Sequence, residues 1–237
     1  MTAPPPVRRV RWAKTYRAVP SRFPPIQLFE RIGDPADWEA LAEIEGLTND
    51  RLRDEIGEIA LVPPDQRVSG PGASWVMASF THVGRPSRFS DGSYGVHYVA
   101  RRKETAVAET IHHMGRFYAA TREPALDVDM RLLIGRVDAA LHDLRDAAPS
   151  WRPALDPDDY GAGQALGRAL RDAGSLGVVY GSVRDAGGEC IGAFLPRAVV
   201  PPIQGPHLRY HWDGARIDRW FDYGDETWTA VPPPTGA

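Results

Sequence analysis

The sequence predicts a single α+β domain on a mixed sheet, with helical additions near the N-terminus. Short β-branched and aromatic runs are interspersed with amphipathic helical stretches, connections such as that from 182 to 190 look antiparallel, and no internal repeat occurs. At 237 residues the chain is long enough to bury a real core.

Residues 1–14, basic and proline-rich, read as a flexible tail, and the main domain is expected over 15–225. Thr15-Tyr16-Arg17-Ala18-Val19 is a short strand stopped by Pro20. Asp34-Pro35 carries an N-cap carboxylate ahead of a first-turn proline, so a helix is expected up to Gly46. A second, capped by Thr48, carries Leu52, Ile56 and Ile59, which makes 34–60 a helical insertion. From Val62 to Asp91 the pattern breaks into Pro, Gly and Ser, and only 73–83 is apolar enough to form an element.

Val96–Ala100 reads as a strand with Val96, Tyr98 and Ala100 on one face. In the helix that follows, Val107, Ile111, Met114 and Tyr118 form one buried stripe, and Glu109, about 200° around from Val107, points off it. Residues 128–137 are expected as a strand, Asp156-Pro157-Asp158-Asp159 as the start of a helix ending near Gly174, and Leu176–Ser182 as a buried strand. In that strand Tyr180 and Ser182 share a face with Leu176 and Val178. Further strands fall in 190–200 and 207–222, the last pair turning at Asp213-Gly214, and 226–237 closes as a second flexible tail.

Composition excludes several function classes. Against 31 acidic residues stand 28 Lys and Arg, and a net charge of −3 offers no general attraction for nucleic acid or an anionic membrane. No run of about 18 apolar residues suggests a membrane span, and no secretory signal is visible. One cysteine, Cys190, can form neither an internal disulfide nor a multi-thiolate zinc site, so a cytoplasmic location is expected and Cys190 reads as a small buried hydrophobe. His112-His113 point about 100° apart on a helix and have no third ligand spaced nearby, so no metal site is expected. Gly161-Ala162-Gly163-Gln164-Ala165-Leu166-Gly167 has no strand leading into it, and reads as a helix-packing face rather than a dinucleotide loop.

Arg17, Arg88, Tyr98, Glu109 and Ser182 are individually unremarkable polar positions. In order, however, the segments Tyr16-Arg17-Ala18, Arg88-Phe89-Ser90, Val96–Ala100 leading to Glu104–Glu109, and Tyr180-Gly181-Ser182-Val183-Arg184 resemble the RES domain family, toxins of bacterial toxin–antitoxin pairs. The resemblance spans about 15–200 and is most specific from Arg88 to Glu109. It implies a compact fold akin to ADP-ribosyltransferase toxins and cleavage of the nicotinamide–ribose bond of NAD+, by phosphorolysis (an NAD+ phosphorylase) or hydrolysis (a glycohydrolase). NAD+ is then a substrate, phosphate a co-substrate, and no cofactor or metal is required.

By the same resemblance Arg88, Glu109 and Ser182 are the catalytic set, while Arg17 and Tyr98 hold NAD+. The implied partner is a helix-turn-helix (Xre-type) antitoxin, with no direct nucleic-acid or membrane contact and self-association left open. The chain departs from the family where Gly84-Arg85-Pro86-Ser87 replaces a Gly-Gly, and where the 34–60 insertion sets Arg17 far ahead of Arg88. These residue types suit the chemistry: guanidinium groups clamp a diphosphate bidentately, an aromatic face holds a cationic ring, and a carboxylate stabilises oxocarbenium character. Two other readings stay open: a mono-ADP-ribosyltransferase acting on a protein, and a non-catalytic binding module.

Overall fold

A computed structural model describes residues 3–21, 57–146 and 148–233. The two helices expected within 34–60 fall almost wholly outside the described residues. Eight strands form one mixed sheet: β1 (Val7–Pro20), β2 (His97–Ala100), β3 (Leu126–Asp143), β4 (Gly177–Gly181), β5 (Glu189–Ala193), β6 (Val200–Trp212), β7 (Ile217–Asp222) and β8 (Thr227–Ala230). Their order is β1-β2-β5-β4-β3-β6-β7-β8, and β1 also pairs with β3. The first five strands therefore come round on themselves, with β6, β7 and β8 continuing outward from β3. All pairings are antiparallel except β3 with β4. The α+β class is as expected, including the β4–β5 hairpin across 182–190.

Both expected tails enter the sheet. β1 runs back to Val7 because Val10 and Trp12 alternate with outward arginines and are buried at 3% and 5% exposure. Arg9 and Arg11 each pair with Asp138 on β3, so the basic residues that suggest a tail are the solvent face of a strand. At the other end, β8 is paired along β7, and Trp228 sits 5.3 Å from Phe221 with the Arg219 guanidinium 5.1 Å over its indole.

The described residues contain three α-helices: α1 (Ala73–Thr81), α2 (Lys103–Thr121) and α3 (Gly161–Asp172). None is long and apolar enough to cross a membrane. α1 buries Val76, Met77 and Phe80 in a cluster with Val99, Val179 and Ile191. α2 lays Val107, Ile111, Met114 and Tyr118 against Leu132, Tyr210 and Trp212 from β3 and β6, the stripe expected from its 3.6-residue period. α3 packs Leu166 and Leu170 against Phe89, Val178 and Tyr180.

α3 begins at Gly161 rather than at the Asp156-Pro157 signature. The acids there make consecutive turns: Asp156 Oδ1 accepts the N–H groups of Asp158 and Asp159 at 2.8 Å, and Asp159 Oδ1 accepts that of Gly161. Leu176 also differs from expectation, packing with the α1 cluster instead of with Val178 and Tyr180, because β4 starts only at Gly177, where φ is 150°.

The glycines of α3 form the expected packing face. A Cβ on Gly163 would meet the Arg88 carbonyl oxygen, and one on Gly167 the Phe89 carbonyl oxygen, so the helix lies directly against the backbone of the 87–90 turn. Gly167→Ala should therefore destabilise the chain by about 1–3 kcal/mol, lowering Tm by roughly 3–10 °C. Gly115→Ala, on an open face of α2 with no atom within 4 Å of the added carbon, should leave Tm unchanged or raise it. Thermal denaturation of the two variants checks the contrast.

Candidate active site

β1 and β2 meet through a single residue pair, Tyr16 with Ala100. Beside this seam opens a cleft of about 440 Å³, lined by residues of β1, the 85–88 loop, β2, α2, β4 and β5. Arg17, Arg88, Tyr98 and Glu109 all line it, although they come from different elements. Ser182 stands behind the wall, against Glu109.

Arg17 bridges the seam, its Nη1 donating to the Tyr98 carbonyl at 2.9 Å. Burial lowers its pKa to about 10, so it remains a cation at neutral pH. Among the described residues no carboxylate pairs with it. A half-buried guanidinium that, among the described residues, is held by a carbonyl alone is under-compensated, and an anion in the cleft would relieve it.

Arg88 is 7% exposed and tightly held. Its Nη1 donates to the Asp156 carbonyl at 2.6 Å, and its guanidinium lies 4.7 Å over the Tyr160 ring. The turn carrying it is fastened from both sides. Tyr98 Oη accepts the Phe89 N–H at 3.1 Å and shares a 2.9 Å hydrogen bond with Ser87 Oγ, while Tyr94 Oη donates to the Phe89 carbonyl. Burial pushes the Tyr98 phenol up to about 12, so it stays neutral, with its ring on the cleft and its hydroxyl committed to the turn.

Glu109 lies off the buried stripe of α2, as expected, and faces the cleft. Ser182 Oγ donates to its Oε1 at 2.6 Å and Cys190 Sγ approaches the same oxygen at 4.0 Å. Both donors address Oε1, and among the described residues Oε2 accepts no hydrogen bond. The Ser182 hydroxyl also accepts the N–H groups of Arg184 and Asp185, both at 3.1 Å, so its one donor and two acceptor positions are filled. A direct bond from Ser182 to a ligand, the use its residue type suggests, would require breaking one of these.

Cys190 is buried at 4% exposure, as expected, but it lies at the cleft floor. Burial, reinforced by Glu109, pushes its thiol well above the usual range and keeps it protonated. Sequence reasoning missed Arg85, His113, Tyr160 and Tyr180 as lining residues. His113 was accessible from spacing, since it lies one helical turn beyond Glu109. Tyr180 likewise shares a strand with Ser182's segment, whereas nothing local marks Tyr160.

The pattern of the RES domain matches residues 64–213, a span that includes Arg88, Tyr98, Glu109 and Ser182 and leaves Arg17 outside. The chain belongs to the RES domain family. This RES chain is also 30% identical over 217 residues to the uncharacterized protein y4oC of Sinorhizobium fredii, covering 89% of this chain and 87% of that protein. In structure it is similar to a chain of the M. tuberculosis MbcT–MbcA toxin–antitoxin complex, with a TM-score of 0.44 and 13% identity, covering 91% of this chain and 86% of that one.

Because Tyr98 Oη takes the buried Phe89 N–H, Tyr98→Phe in the RES chain should orphan that donor and cost about 1–3 kcal/mol. Urea denaturation should show a lower midpoint with an unchanged slope. An unchanged midpoint would mean that the 87–90 turn does not depend on this hydroxyl.

Proposed function

We propose that this RES chain is the toxin of a toxin–antitoxin pair and acts by cleaving the nicotinamide–ribose bond of NAD+. The observation that carries this reading is the convergence of two guanidinium groups, buried Arg88 and half-buried Arg17, with an aromatic ring and the Glu109 carboxylate on a single cleft. NAD+ is a molecule with that charge pattern: a diphosphate, a cationic ring and, between them, a ribose whose anomeric carbon becomes electron-poor as the ring departs.

In this reading Arg17 and Arg88 hold the diphosphate, which gives Arg17 an anionic partner. The Tyr98 ring packs on the nicotinamide side. As the anomeric C–N bond breaks, its electron pair neutralises the pyridinium nitrogen and positive charge develops on the ribose. Glu109 Oε2 opposes that charge. Ser182 is a positioning residue, because its bond to Oε1 fixes the carboxylate rotamer. An acceptor oxygen then closes the step by bonding to the anomeric carbon. We take phosphate as that acceptor, since two cations near the site offset its repulsion from the diphosphate. An enzyme that depletes a central cofactor must be restrained in its own cell, and an antitoxin seated over the cleft mouth would do so without unfolding it.

The test is incubation of the purified chain with NAD+, with and without phosphate, followed by mass spectrometry. Consumption of NAD+ that rises with phosphate and yields ADP-ribose carrying a new phosphate is expected. Free ADP-ribose alone would make hydrolysis the reaction. Label transferred to protein would make the chain an ADP-ribosyltransferase, and undiminished NAD+ would overturn catalysis altogether. Glu109→Gln should lower turnover by about 10²–10³-fold with little change in Tm, because the residue leaves the packed stripe intact. Expression alone should arrest growth, with rescue by the cognate antitoxin.

A further inference from the structure

The wall that α2 gives the cleft grades from floor to mouth. Ala106 is buried, Glu109 and Thr110 are half-buried, and His113 is exposed. Glu109 and His113 are one helical turn apart on the same face, so the imidazole stands beside the carboxylate on the solvent side. That is where an acceptor must arrive once the dinucleotide fills the inner cleft. None of the holding or charge-stabilising roles assigned above uses His113.

We propose that His113 is a further catalytic residue, the base that receives the proton of the incoming acceptor, dihydrogen phosphate. The inference rests on the NAD+-cleaving reading and adds the step that reading leaves open. The acceptor oxygen bonds to the anomeric carbon while its proton passes to an imidazole nitrogen. The C–N electron pair leaves with neutral nicotinamide, and the exposed imidazolium then returns the proton to solvent.

The surroundings of His113 suit a base. Although its outer edge reaches solvent, the side of the ring packed on the cleft wall is partly desolvated, and this lowers its pKa most; Glu109 opposes that, whereas Arg184 from the β4–β5 connection, Arg116 on α2 and Arg88 from the turn reinforce it. The net effect lies below the ordinary 6.5, so the ring is neutral and able to accept a proton at pH 7. His112, with its ring 5.4 Å away edge to face, differs: it does not line the cleft, its Nε2 is buried without a hydrogen-bond partner among the described residues, and burial pushes its pKa down to about 4.

Two measurements on the full chain test the assignment. In pH–rate profiles of NAD+ loss, wild type and His112→Gln should lose activity on acidification through an apparent pKa below 6.5, as the base becomes protonated. His113→Gln should lose that limb and drop about 10²-fold or more in kcat, with KM for NAD+ within about threefold of wild type. Separately, the His113 imidazole resonance, assigned by its absence in His113→Gln, should shift saturably as inorganic phosphate is added, with a rise in its pKa. An acid limb that survives in His113→Gln, or a His113 signal that phosphate does not move, overturns the assignment. A phosphate-responsive His113 in a chain that spares NAD+ would keep the acceptor contact and discard NAD+ as the donor, which separates the two readings.

Discussion

The seam between β1 and β2 is the constraint on which the site depends. Five strands come round on themselves, but the last join is one residue pair, Tyr16 with Ala100. β1 spends its pairing on β3 over almost its whole length. Among the described residues its other edge meets β2 only at that pair, and backbone polar groups beside it need partners from side chains. Arg17 supplies one by donating to the Tyr98 carbonyl across the gap. The same residue thus completes the sheet and presents a cation to the cleft that the incomplete sheet leaves open.

The second cation is held by close backbone approach. Gly163 and Gly167 bring α3 against the carbonyls of Arg88 and Phe89, and Tyr98 and Tyr94 tie the same turn from the sheet side. A turn pinned on both faces has little freedom to swing, so the Arg88 guanidinium is preorganised over Tyr160 rather than recruited by ligand. α2 divides its circumference similarly. Its Val107-to-Tyr118 stripe secures it to β3 and β6, while the neighbouring face, with Glu109 and His113, is released to the cleft. Substitutions on one face act on stability and on the other on chemistry, so the two properties can be separated experimentally.

How much was legible follows from which residues carry local periodicity. The α2 stripe, the Tyr98 face of β2 and the glycine face of α3 are written within single elements, and each is where the pattern puts it. Less legible were features decided by long-range pairing. Arg8, Arg9 and Arg11 look like a basic tail until Asp138 and Asp143 on β3 are set opposite them. Tandem acids at 156–159 imitate a helix cap, but bond to the N–H groups of their own turn. Arg17, Arg88, Tyr98 and Glu109, the residues the resemblance names, line one cleft, whereas the direction of the Ser182 hydroxyl, toward Glu109, depends on how β4 meets α2 and no motif encodes it.

Charge decides how such a cleft behaves when empty. Among the described residues Arg17, Arg85 and Arg88 line it with Glu109 as the lining carboxylate, so positive charge there is in excess. Arg17 is desolvated enough for its pKa to fall to about 10, a measure of how poorly its charge is compensated. That deficit is borne by the folded state alone, because the same guanidinium is hydrated in the unfolded chain. Any anion that settles between the arginines removes it, and so favours the folded form by mass action in proportion to how well it reaches both. Ligand recognition and fold stability are therefore coupled at Arg17, the side chain that also bridges the seam.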